Sequence, residues 1–107
     1  MFTKKLFPGS SLELPILGFG AAPLGGLYGD VEDGKLLVKL AIDKGINYFD
    51  TSPYYGNSEI VLGECLKEIT REKYIISTKG GRLSENTFNY SPEHINHSIN
   101  TSLSRLY

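Results

Sequence analysis

The chain has 107 residues, 40% of them hydrophobic, 21% charged and 11% aromatic. That size holds one domain with no room for a separate cofactor module, and the mixed composition excludes disordered, collagen-like and coiled-coil chains. Eleven Lys and Arg against twelve Asp and Glu, a net charge of −1, leave no basic excess to neutralise phosphates, which argues against a nucleic-acid partner.

In chain order, the opening MFTKKLFPGS lacks the apolar run of a secretory signal, and nowhere do eighteen apolar residues stand together. The expectation is a cytoplasmic protein with no membrane partner. KKLF and SLELPIL flank the turn signal Pro8-Gly9-Ser10, which predicts a short hairpin leading into a strand over Ile16–Gly20. After the loop AAPLGGLYGD, apolar residues at Leu36, Leu37, Leu40, Ala41 and Ile42 follow helical spacing from an acidic start near Asp30 to Asp33, and Gly45 supplies the stop.

A second strand is predicted over Ile46–Asp50, then the turn cluster TSPYYGNS, then a helix from about Glu59 to Glu68 capped by Asn57 or Ser58. The third strand, Tyr74–Thr78, runs into Lys79-Gly80-Gly81, and Ser91-Pro92-Glu93 reads as N-cap, proline in the first turn and an acidic start to a third helix. The order strand, helix, strand, helix, strand, helix predicts a parallel sheet with covering helices, either doubly wound or a (β/α)₈ barrel. The last residues, Ile99–Tyr107, stop inside a helical pattern with no terminator, and three parallel strands leave open edges, so a fragment is expected.

Several features invite chemistry. Gly18-Phe19-Gly20-Ala21-Ala22-Pro23 begins like a dinucleotide fingerprint but has proline where the third glycine belongs, so a glycine-permitted loop that a ligand can approach is the preferred reading. Asp50 and Lys79 end consecutive strands and Tyr55 follows in the loop after the first, which brings all three to the C-terminal face of a parallel sheet. There a lysine ammonium would lower the phenol's pKa and an aspartate would hold the lysine, giving a tuned proton donor. The strand alternation sharpens that reading, because Ile75, Ser77 and Lys79 share one side of their strand as Ile46, Tyr48 and Asp50 share one side of theirs. The plainer reading has Asp50 capping a turn, Tyr55 packing in a loop and Lys79 solvated. A strand-end lysine also suits Schiff-base chemistry on a carbonyl substrate.

Cys65, the single cysteine, is read as a half-buried structural thiol in a reducing compartment. His94 and His97 stand three apart but have no carboxylate or thiol arranged to complete a site, so no metal is expected. Three N-x-S/T matches at Asn89, Asn96 and Asn100 are discounted without a secretory signal.

Phe49-Asp50-Thr51-Ser52-Pro53-Tyr54-Tyr55-Gly56-Asn57-Ser58-Glu59, followed by Ile76-Ser77-Thr78-Lys79, resembles the aldo-keto reductase superfamily. Leu17–Gly26 is similar to the opening strand and loop of its sugar dehydrogenases, and Lys79-Gly80-Gly81-Arg82 with Phe88-Asn89-Tyr90-Ser91 looks like the members that oxidise D-arabinose or L-galactose. The resemblance implies a (β/α)₈ TIM barrel plugged by an N-terminal hairpin, of which residues 1–107 are an incomplete part, about three βα units, truncated before the family's fourth barrel strand.

It further implies an NAD(P)-dependent oxidoreductase that oxidises an aldose at C1, with Tyr55 as proton donor or acceptor, Lys79 as its neighbour and Asp50 as the lysine's partner. Gly20, Ala21, Ala22 and Asp50 would lie near the nicotinamide; Tyr28 and Tyr54 would border the sugar. The family's histidine at the end of barrel strand four and its late cofactor-phosphate loops have no counterpart in the sequence. The alternative expectation is therefore a catalytically inactive fragment or a binding module.

Overall fold

A computed structural model describes residues 4–26 and 31–106. The hairpin forms as the turn signal predicts, with β1 (Lys4–Leu6) and β2 (Glu13–Pro15) paired antiparallel. Ser10 closes its turn by donating through Oγ to the Phe7 carbonyl.

A separate parallel sheet has the order β3 (Phe19–Gly20), β4 (Tyr48–Asp50), β5 (Ile75–Ser77). The first of these strands is shorter than expected. Only Phe19 and Gly20 find partners, Phe49 and Asp50, while Ile16 and Leu17 lie exposed in the bend after β2.

Helix α1 (Val31–Asp43) ends as Gly45 predicts. Gly45 N–H donates to the Ile42 carbonyl and Ile46 N–H to the Ala41 carbonyl, the paired bonds of a Schellman stop, with Gly45 at φ 95° where a side chain would be strained. Its buried face differs from the expected one. Gly34, Val38 and Ala41 point inward, whereas Leu36, Leu37 and Leu40 are 69%, 51% and 54% exposed. The short residues face inward because the helices pack closely: a side-chain carbon on Gly34 would come within 2.9 Å of Cys65 Sγ.

Helix α2 (Ser58–Leu66) and helix α3 (Pro92–Leu106) complete the fold. The expected start of α3 is present, since His94 N–H donates to Ser91 Oγ at 3.2 Å with Pro92 opening the helix. Asn57 takes the expected N-cap position of α2, its carbonyl accepting the Val61 N–H, but its side chain makes no capping bond, and the Ser58 hydroxyl is turned inward to the strand ends. Phe49, Leu62, Leu66 and Val38 are fully buried and form the core between sheet and helices, each contributing about 1.5–3 kcal/mol by burial. Phe19 tilts onto Phe49 with ring centroids 5.3 Å apart. The three-stranded sheet does not close into a barrel. Among the described residues no helix is long and apolar enough to cross a membrane.

Candidate active site

The parallel register puts Gly20, Asp50 and Ser77 in one row, on the sheet face opposite Phe49 and Ile76 in the core. Lys79 follows Ser77 by two residues and so returns to the same side. Its Nζ donates to Asp50 Oδ2 at 2.9 Å and to the Thr51 carbonyl at 2.9 Å. It also lies 5.0 Å from the centroid of the Tyr55 ring. The three residues picked out by the strand pattern are thus brought together, with Lys79 and Asp50 about half-exposed rather than buried. Burial pulls the lysine's pKa down, but the hydrogen bonds and charge of Asp50 and Tyr55 outweigh it and hold the ammonium above its usual range.

The loop that carries Tyr55 is built by short-range bonds. Ser52 accepts the Tyr54 N–H at its Oγ and the Tyr55 N–H at its carbonyl, and the Tyr55 carbonyl accepts the Ser58 N–H as α2 begins. Gly56 sits at φ 55°, where a side-chain carbon would crowd the Gly25 carbonyl, and a side chain on Gly25 would collide with the Tyr55 carbonyl. The glycine loop after β3 is therefore a packing surface for the tyrosine loop. It opens into a single 3-10 turn, Ala22–Gly25, rather than the long helix of a dinucleotide fingerprint. Gly20 and Ala22 are exposed, and Ala21 is fully buried with its N–H donating to the Asp50 carbonyl.

A cavity of about 250 Å³ opens over Lys79 and Tyr55, walled by Tyr54, Arg82, Phe88 and Tyr90. Tyr54 lines this cavity. Tyr28 lies outside the described residues.

The sequence profile of the aldo/keto reductase family matches residues 16–107. This chain belongs to that family. It is 46% identical over 103 residues to L-galactose dehydrogenase of Arabidopsis thaliana, covering 91% of this chain and 32% of the relative. It is 36% identical to D-arabinose 1-dehydrogenase of Saccharomyces cerevisiae, covering 100% of this chain and 34% of that protein. The holo form of an aldo-keto reductase from Bacillus halodurans superposes with a TM-score of 0.82 at 29% identity, over 99% of this chain and 37% of the other. The chain thus spans about a third of the length of these aldo-keto reductases.

Two neighbouring residues of this aldo-keto reductase segment went unnoticed as site residues. Ser58 Oγ donates to the Ala21 carbonyl at 2.7 Å, which uses its one proton, so Thr51 Oγ1 must donate to Ser58 Oγ at 2.8 Å. Glu59, 1% exposed, accepts from Thr78 Oγ1 at 2.8 Å and from Arg105 Nη1 at 2.9 Å. Ala21, Thr51 and Thr78 each directly follow a strand, so the first turn of α2 ties together the ends of all three. The motif Gly-Asn-Ser-Glu hints at a helix start, but apart from Thr51, seven residues before Ser58, the partners lie 19 to 46 residues away and leave no local signal.

Elsewhere in the segment, Cys65 is buried on α2, its thiol pushed up by burial, and donates to the Val31 carbonyl. On α3, His94 is half-buried and His97 exposed.

Proposed function

We propose that this segment carries the proton-transfer half of an aldose dehydrogenase: an NAD(P)-dependent oxidation of a D-arabinose- or L-galactose-type sugar at C1, performed on a (β/α)₈ barrel of which residues 1–107 form the opening part. The observation that carries this reading is the Lys79 ammonium held between Asp50 and the Thr51 carbonyl beside the Tyr55 ring. Tyr55 takes the proton of the C1 hydroxyl as the C1–O bond becomes a carbonyl, and in the reverse direction returns it. The positive charge of Lys79 stabilises the negative charge that develops on the phenolic oxygen. Asp50 keeps Lys79 charged and aimed, leaving Tyr55 the only one of the three that must change protonation state.

A nicotinamide dinucleotide, when bound, supplies the acceptor for the hydride that leaves C1. The strand ends fit such a group. A side-chain carbon on Gly20 would meet nothing within 4 Å, so a flat ring has room beside the Asp50 carboxylate, with the exposed Gly20 and Ala22 forming the adjoining rim and the buried Ala21 anchoring the loop behind it rather than meeting the ring. Likeness to L-galactose and D-arabinose dehydrogenases supports the sugar class.

Tyr55→Phe, made in the natural polypeptide that carries this segment, is expected to abolish turnover of L-galactose and D-arabinose while leaving NAD(P)⁺ affinity within about threefold, because only the proton acceptor is lost. Unchanged turnover would refute the assignment.

A further inference from the structure

Beyond the proton-transfer residues, the cavity has a wall with its own chemistry. Arg82 lies with its guanidinium carbon 4.0 Å from the centroid of the Tyr54 ring and 5.9 Å from that of Phe88. Its Nε donates to the Ser84 carbonyl and its Nη2 to the Glu85 carbonyl, both at 3.1 Å. Phe88 stacks on Tyr90 with ring planes 9° apart, and a side chain on Gly81 would collide with the Tyr90 ring, so the glycine lets that ring lie against the backbone. Tyr54, Phe88 and Tyr90 are all exposed.

The guanidinium is thus fixed on one edge by main-chain carbonyls and on its faces by aromatic rings. A guanidinium has five N–H donors in a rigid fork, and these two bonds use two of them. Among the described residues no carboxylate forms an ion pair with Arg82. A pre-positioned donor fork beside three exposed aromatic side chains matches a ligand with hydroxyl groups on its edges and C–H bonds on its face. That is the surface of a cyclic sugar.

We propose that Arg82 is a specificity-determining residue that donates hydrogen bonds to the hydroxyl groups of a cyclic aldose remote from C1, while Tyr54, Phe88 and Tyr90 cover the sugar's C–H face. The inference rests on the aldose reading of the neighbouring site. It adds that discrimination between sugars and short carbonyl compounds resides in the 82–90 loop together with Tyr54.

Steady-state kinetics on the natural polypeptide, comparing Arg82→Met with the unaltered protein on L-galactose, D-arabinose, D-galacturonate and methylglyoxal, tests this. A hydroxyl pair that loses a charged donor is expected to cost roughly tenfold to a hundredfold in kcat/KM, carried mainly by KM. The loss on the two aldoses should exceed that on methylglyoxal, which has no ring hydroxyls to meet the guanidinium, by at least several-fold. Arg82→Lys, which keeps the charge without the planar fork, should retain most of the defect.

Equal losses on sugars and methylglyoxal, or full rescue by lysine, would overturn the proposal. A larger loss on D-galacturonate than on L-galactose would also overturn it, assigning Arg82 to a carboxylate instead. If Arg82→Met fails to fold, Phe88→Leu and Tyr90→Leu apply the same comparison, with a several-fold rise in KM for the sugars alone expected and no selective rise overturning the proposal. Failure of the underlying reading shows separately, as an unaltered protein that reduces methylglyoxal but oxidises neither aldose.

Discussion

Lys79 is the residue on which the site turns, and its titration sets a pH window. Its folded-state pKa is raised above the ordinary 10.5 by Asp50 and Tyr55, which together overcome the opposing effect of burial. A cation held more tightly in the folded state adds stability that is fully present below the unfolded value and is lost as pH rises through the folded one. The difference in unfolding free energy between the protein and Lys79→Met should therefore stay flat from pH 7 to about 10 and shrink only above 10.5. Urea denaturation at a series of alkaline pH values measures it. A difference that already declines near neutrality would mean that the lysine titrates early and the Asp50 pair is not formed. Because Lys79 is half-exposed, the size of the effect is small even where its direction is firm.

At the level of elements, α2 is the hub: its first turn holds the strand ends and its middle touches α3. A side chain on Gly63 would run into the Arg105 carbonyl. Replacing Gly63 with alanine favours the helix by about 1 kcal/mol, but forcing α3 away costs about 1–3 kcal/mol and strains the Arg105–Glu59 pair. Gly63→Ala is thus expected to lower stability by up to about 2 kcal/mol, read as a shift in the denaturation midpoint, whereas a gain would mean that α3 yields freely. Features with short-range causes were open to prediction from the residues alone: the Gly45 stop, the Ser91-Pro92 start, and the placing of Asp50 and Lys79 on one side by strand parity. The inward face of α1 was not, because periodicity favours the leucines and only the packed helices show that Gly34, Val38 and Ala41 are the residues that fit. Glu59 with Arg105, and Arg82 with Tyr54, were equally hidden, since each pair is joined by the fold across 28 residues or more.

For the molecule as a whole, the sheet has β3 and β5 as its outer strands, and α1 presents Leu36, Leu37 and Leu40 to solvent. Unpaired strand edges and an apolar helix face of this kind are poorly tolerated by an isolated domain. The 107-residue chain on its own is accordingly expected to lose its helical circular dichroism over a broad temperature range. A sharp cooperative melt would show instead that three βα units suffice as a folding unit.

The clamp at Ser58 and Glu59 has a consequence for how such a site can be altered. In the proposed reading it holds the groups that would move the proton, through bonds to strand ends and to α3, whereas the guanidinium and rings proposed to face a sugar are held within the 82–90 loop and by one tyrosine. Selectivity and reactivity therefore hang from different attachments. The loop is the part that can be exchanged to admit a new substrate while the chemistry beneath it stays in place.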